Sequence, residues 1–448
     1  MASFTVTNLL DFGTGSLRQA ILDANGLGGA DEILFYPGLS GGTINLTSGE
    51  LLITDDLSIN GLGADFLGVD AGGFSKVFNV DDGDDGNFLD VLLNGLTITG
   101  GSAEFFGEGG GGISNAENLT LSNSIISGNS SFYDAGGISN SGELTVTNSS
   151  ISDNQAFFYG TGGISNSGEL TITNSSINQN FGLTIGGIKN SGELTMTNST
   201  ISGNSSRGTA GIYNLGEVSV TNSTISGNDA IYGDTVANRG ELTVTNSTIS
   251  SNTSFFGTTV TNSGELTLTN STISGNSSYF SSSVTNYSGV SATVSNTIIA
   301  GNIGNTSADV FGDFTSNGFN LIGDITGSTG FDNDLTFASL GGISIQDVID
   351  TNLADNGGLT LTHALIGGSP AIDAGNNDDI SALTDQRGAG FDRIVDGNND
   401  TIAIVDIGAF EVQQQSTSVP EPSSMLGLFG LVIVASGSIL KRKLQQKL

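Results

Sequence analysis

Three features of the sequence predict an all-β solenoid, a right-handed parallel β-helix. The stretch NSGELTVTNSSISDN (Asn140 to Asn154) has near-copies down the chain, phased by Glu143, Glu169, Glu193, Glu217, Glu241 and Glu265 at spacings of 26, 24, 24, 24 and 24. Within each copy, as at Leu144 and Val146 between Thr145 and Thr147, apolar and polar residues alternate with the period of two of a half-buried strand. Neither a 3.6-residue period nor a Leu-x-x-Leu-x-Leu spacing appears, which sets aside helical and leucine-rich repeats. So short a unit cannot bury its own apolar face. Wound so that each turn lies on the last, with parallel strands about 4.8 Å apart, it can.

The elements come in a clear order. Residues 1–101 read as a cap and divergent rungs: SLRQAILDAN (Ser16 to Asn25) is a short helix with Ser16 at its N-cap, lidding the open core. GTINLTSGELLITDDLSINGLG (Gly42 to Gly63) and NGLTITGG (Asn94 to Gly101) are irregular rungs. Residues 102–302 hold the regular repeats, each read as three strands, around Gly136 to Ile138, Leu144 to Val146, and Ile151. Asn148 and its equivalents Asn174, Asn198, Asn222, Asn246, Asn270 and Asn296 are expected to stack into a hydrogen-bonded ladder. Residues 303–411 read as C-terminal rungs, 412–418 (VQQQSTS) as a linker, and 419–448 as a separate tail. GTGSLRQAILDAN followed by ADEILF resembles the N-terminal cap of many bacterial surface β-helices.

Composition narrows the function. With 36% apolar residues recurring in phase, 68 Gly and only 4 Pro, the chain is built for short strands and tight turns rather than disorder. The formal charge is −34, no Lys or Arg stands between Arg239 and Arg387, and four of the eleven basic residues lie in the last eight positions. Nucleic acid and other polyanions need a basic surface, so they are poor partners, and no nucleic acid is expected. Without cysteine there are no disulfides or thiolate metal sites. The opening MASFTVTNLL has neither a basic n-region nor an apolar h-region, and a start upstream of Met1 would supply an export leader.

The tail carries the most specific pattern. Ser423 to Leu440 is an uncharged, mostly apolar run of eighteen residues, predicting a single C-terminal transmembrane helix, and Lys441, Arg442, Lys443 and Lys447 place the C-terminus on the cytoplasmic side. Val419, Pro420, Glu421 and Pro422, the span and the basic tail, in that order, resemble the PEP-CTERM sorting signal of Gram-negative bacteria. The resemblance implies export, a transient inner-membrane anchor, and processing by an exosortase-like membrane protease. It also implies a final place at the cell surface or in the extracellular matrix, in association with extracellular polysaccharide. Upstream, NLIGDI (Asn320), DNGGLTLTHALIGGSPAIDAG (Asp355 to Gly375), DQRG (Asp385) and DIGAFE (Asp406) resemble the choice-of-anchor Q domain, which implies a surface location and no defined reaction.

No catalytic set emerges. Asp134, Asp153, Asp229 and Asp234 are scattered singly, the regular repeats offer only Lys189, Arg207 and Arg239, and the single histidine, His363, reads as structural. Aromatic residues recur after each Ile strand: Phe132, Tyr133, Phe157, Phe158, Phe181, Tyr232, Phe255, Phe256, Tyr279 and Phe280, with Phe105 and Phe106 before them. In phase they form either an inward-packed row or an exposed stripe that stacks on sugar rings or protein. Asp396, Asn398 and Asp400 have the i, i+2, i+4 oxygen spacing of a calcium loop, but Thr401 stands where its turn glycine belongs. DDGDDG from Asp81 is similar. The expectation is a structural or adhesive surface protein. The alternatives are a polysaccharide-degrading β-helix lyase or glycosidase, and ice binding through the Thr-x-Thr pairs.

Overall fold

The computed structural model describes residues 1–84, 86, 88–104, 109–305, 309–380 and 382–414. The chain divides into two compact units, Met1–Val412 and Gln413–Leu448. The first is the coil. The transmembrane helix and the Val419–Pro422 motif expected in the second lie outside the described residues. Among those described, no helix is long and apolar enough to cross a membrane.

One regular turn of the coil shows the construction. It runs through β1 (Glu143–Thr147), β2 (Ser150–Ser152), β3 (Gln155–Ala156) and β4 (Ile164–Asn166). Each stacks parallel and in register on its copy in the next turn, as Glu143 on Glu169 and Leu144 on Leu170. The β1 and β2 copies form 13-stranded sheets, the β4 copies a 12-stranded one and the β3 copies a 9-stranded one. There are thus four strands per turn, where three were expected. The fourth escaped notice because its inward residues, Ala156, Gly182 and Ser206, are too small to give an apolar signal.

Leu144, Val146, Ile151 and Ile164 are fully buried and join their copies in one continuous core. Its N-terminal end is covered by α1 (Leu17–Asn25), whose Leu17, Ala20, Ile21 and Ala24 are buried; Ser16 caps the helix by accepting from the Gln19 amide at 3.2 Å. Glycine is required where β4 begins, because a Cβ on Gly163 would lie 2.5 Å from the Gly187 carbonyl oxygen of the next turn.

The asparagine ladder exists, but in other columns. Asn148, Asn174, Asn198 and Asn222 sit at φ of 49–50°, making the corner between β1 and β2 in the left-handed region that Asn tolerates best, so their amides point away from the core. Stacking falls to two inward columns instead. From Asn129 through Asn154, Asn180, Asn204, Asn228, Asn252 and Asn276 to Asn302, each Nδ2 donates to the next Oδ1 at 2.9–3.0 Å. From Asn115 through Asn140, Asn166, Asn190, Asn214, Asn238 and Asn262 to Asn286 the distances are 2.7–3.1 Å.

The expectation of rungs through residue 411 also needs correction. The last coil strand is Leu335–Thr336. Beyond it the chain folds back as an irregular segment along the β2 face of the later turns. Thr224 Oγ1 donates to the Leu361 carbonyl at 2.7 Å, Thr248 Oγ1 to Gln386 Oε1 at 2.6 Å, and Asn246 Nδ2 to the Thr384 carbonyl at 3.0 Å. Thr272 Oγ1 accepts from the Ala409 amide at 3.0 Å. The physical reason is a second apolar cluster: Ile298, Ala300 and Leu321 of the coil bury themselves against Val348, Ile349, Ala371 and Ile407.

Candidate functional site

The aromatic residues stand on the corner between β3 and β4, except Phe181, which lies in the β3 copy of its turn opposite Gln155. The Phe157 amide donates to the Ser131 carbonyl, Phe255 to Ala230 and Tyr279 to Ser254, so successive turns present their rings in columns. Rings stack turn upon turn: Tyr133 on Phe158 at 5.6 Å, Tyr232 on Phe256 at 5.4 Å, Phe255 on Tyr279 at 5.1 Å and Phe256 on Phe280 at 5.0 Å. None of these packs inward; Tyr232 is 67% exposed, Tyr279 61%, Phe158 50% and Phe256 49%. Phe158 holds φ at 56°, a strained setting for a bulky residue that turns its ring outward.

The stripe has a gap. Arg207, whose carbonyl accepts the Tyr232 amide, and Gly208 stand between an earlier cluster (Phe132, Tyr133, Phe157, Phe158, Phe181) and a later one (Tyr232, Phe255, Phe256, Tyr279, Phe280). The earlier cluster encloses an apolar depression of about 380 Å³ with Leu183. Phe105 and Phe106 lie outside the described residues.

The acidic loops use their oxygens locally. Asp396 accepts from the amides of Asp400 and Thr401, Asn398 from Asp400, and Asp400 from Ile402 at 2.9 Å. Asp81, Asp82 and Glu117 bring carboxylate oxygens within 4.8 Å of one another, and Glu117 accepts from the amides of Asp82 and Leu89. In both places the carboxylates serve as turn acceptors.

His363 joins the back-folded segment to the coil. Its Nδ1 lies 2.8 Å from the Asp350 carbonyl and must carry the proton, so Nε2 accepts from the Ser250 hydroxyl at 2.8 Å. A hydroxyl and an imidazole so placed have the geometry of a nucleophile and its base. Ser250 is fully buried and His363 is 2% exposed, so no substrate reaches them. Burial lowers the imidazole's pKa and keeps it neutral.

Asp309 ends the first asparagine ladder, accepting from Asn302 N at 3.0 Å and Nδ2 at 2.8 Å and from the Asp324 amide at 2.8 Å. Burial pushes its carboxyl from 3.8 up to about 6, against the pull of those hydrogen bonds. The native state therefore holds a proton that the unfolded chain has released. The stability this contributes is complete below the unfolded value and is lost as pH rises through the folded one. The gap in Tm between wild type and Asp309→Asn is expected to be widest near about pH 4 and to shrink toward about pH 7. A gap that does not change with pH would refute it.

Comparison with known proteins agrees with the coil and the tail. Residues 137–302 match the family described as right handed beta helix region, and residues 418–443 match the PEP-CTERM protein-sorting motif. No curated protein matches the sequence. Among solved structures, pectate lyase Pel9A is 15% identical over 92% of this chain and 97% of its own, with a TM-score of 0.46. The alginate lyase from Paenibacillus sp. str. FPU-7 is 11% identical over 68% and 97%, with a TM-score of 0.28. The mannuronan C-5 epimerase AlgE6 A-module of Azotobacter vinelandii is 14% identical over 76% and 98%, also at 0.28. Likenesses this loose carry no argument about activity. The chain carries a right-handed β-helix region over residues 137–302 and a PEP-CTERM sorting motif over residues 418–443, and that motif indicates an exported protein sorted by an exosortase system.

Proposed function

We propose that the coil is a non-enzymatic structural or adhesive element of the cell surface or extracellular matrix, binding neutral polysaccharide along its aromatic corner. In this reading the tail anchors it in the inner membrane until an exosortase-like protease processes it. The observation that carries the reading is the outward display of stacked rings on successive turns, an arrangement that costs apolar exposure and strained backbone at Phe158. A column of rings offers flat apolar faces to the faces of sugar rings without requiring charge, which suits a chain carrying −34.

The test is retention on insoluble neutral polysaccharide. Phe256→Ala with Tyr279→Ala is expected to weaken retention by roughly tenfold while leaving Tm almost unchanged, since both rings are exposed. Full retention by that double variant would refute the stripe, and release of shortened sugars by the wild type would refute the non-enzymatic reading. Removing residues 419–448 is expected to send the protein into the medium, read by cell fractionation.

A further inference from the structure

A second feature points to a ligand site that the aromatic corner does not include. The outer face of the β2 sheet is covered by the back-folded segment only in the later turns. In the earlier ones it is open, forming a groove of about 660 Å³ between the loop at Ala64 and Asp65 and the side of Leu359. Its floor presents Asn148, Asn174 and Asn198 with Ser150, Ser176 and Thr200 beside them. These are the turn-for-turn equivalents of Asn222, Asn246, Thr224 and Thr248.

Those equivalents show which groups the face binds. In the covered turns Asn246 Nδ2 and Thr224 Oγ1 donate to carbonyls, Thr248 Oγ1 donates to the Gln386 amide oxygen, and Gln386 Nε2 donates back to Thr224 Oγ1 at 3.0 Å. The face thus pairs with uncharged groups, carbonyls that accept and one amide, that of Gln386, that both gives and takes hydrogen bonds. In the open turns the Asn148 and Asn174 side chains are exposed and make no hydrogen bond among the described residues. Their corners sit at φ of 49° and 50°, so the backbone projects both side chains outward into the groove.

We propose that this groove is a binding site for an unbranched neutral polysaccharide lying across the turns. The turn spacing of about 4.8 Å is close to the advance of one pyranose ring along an extended β-linked chain, so successive rings, each turned over relative to the last, would lie over successive turns and meet their amides and hydroxyls. Four turns, from Asn123 to Thr200, give room for about three such steps. The single charge lining the groove is the carboxylate of Asp65, which disfavours polyanions. The groove stands independently of the aromatic corner.

The experiment is calorimetric titration of the first unit, as part of the full chain, with a linear β-linked glucose hexasaccharide. It is run on wild type, on Asn148→Gly with Asn174→Gly, and on Phe256→Ala with Tyr279→Ala. Glycine keeps the left-handed corner and removes only the amide, so the groove variant is expected to keep its Tm. Affinity is expected to fall about tenfold or more in the groove variant, and a groove component is expected to survive in the ring variant. No binding by wild type, or equal binding by the groove variant, overturns the proposal. So does preference for a Gln- and Thr-rich peptide over the sugar. If only the ring variant loses affinity, the aromatic corner stands and the groove falls; if only the groove variant does, the reverse holds.

Discussion

Replacing Asn204 with leucine is expected to lower stability by about 4 kcal/mol, a large loss for one substitution that changes no charge. Asn204 Oδ1 accepts from both the backbone and side-chain nitrogens of Asn180, at 3.0 Å each. Its own Nδ2 donates to the Ile177 carbonyl at 2.9 Å and to Asn228 Oδ1 at 3.0 Å. The residue is fully buried, so water cannot replace any of these partners. Leucine would strip the Asn180 backbone and side-chain nitrogens of this acceptor and the Ile177 carbonyl of this donor, while Asn228 Oδ1 would keep only the backbone N–H of residue 204, each buried group left unpaired costing about 1–3 kcal/mol before relaxation. The measurement is thermal and chemical denaturation, with hydrogen exchange at Ile201 and Ile225 to show that the loosening is local. A loss under about 1 kcal/mol would mean that the columns tolerate gaps and are not a determinant of the stack.

The second large effect concerns the back-folded segment. Arg393 is 1% exposed; its Nη2 donates to the Asp406 and Gly408 carbonyls, and its Nη1 lies 3.9 Å from Glu411 Oε2. Burial pushes the carboxyls of Asp406 and Glu411 up, and Asp406 adds to the effect on Glu411. Arg393→Met removes the positive charge between them and is expected to cost about 3–5 kcal/mol within that segment. The readout is limited proteolysis: residues 345–412 should become cleavable while the turns from Ile113 to Leu215 stay protected. Adding Glu411→Gln should change the protection little further, because burial already holds the Glu411 carboxyl toward its neutral form. Unchanged protection in Arg393→Met would show that the neighbouring clamp holds the segment unaided. In that clamp Arg387 lies 3.9 Å from the Phe391 ring and 3.7 Å from Phe410, and Nη2 is 2.6 Å from Asp385.

The coil itself was legible because its information is local and repeated. Leu144 and Val146 alternate with threonines, and the copies fix the register, so β1, β2 and β4 could be read directly. The helix at Ser16 was legible from a single cap residue. The columns of asparagine were visible as repeats, but the choice between Asn148 and Asn154 turned on one corner. Extending strand parity past Thr147 carried Asn148 inward, whereas the backbone turns left-handed there and gives the core position to Asn154. The back-folded segment was illegible because Thr224 and Leu361 are 137 residues apart, and nothing in either stretch names the other. For the aromatic corner, recurrence was plain while exposure was not, since outward rings and inward rings share one period. The break at Arg207 could have been noticed as the one regular turn whose loop carries no ring.

The side-chain amides of each column hand their hydrogens in one direction, toward the C-terminal end, where Asn286 meets the Asp313 carbonyl and Asn302 meets the carboxylate of Asp309. A carboxylate can only receive, so it closes the sequence of hand-overs with nothing left over. From Asn180 to Asn276 the same step repeats at intervals of 24 residues. Copies gained or lost by unequal recombination of the underlying tandem DNA would leave both terminators and every remaining junction intact. The length of the coil is therefore a quantity that lineages can adjust one notch at a time, without redesigning either end.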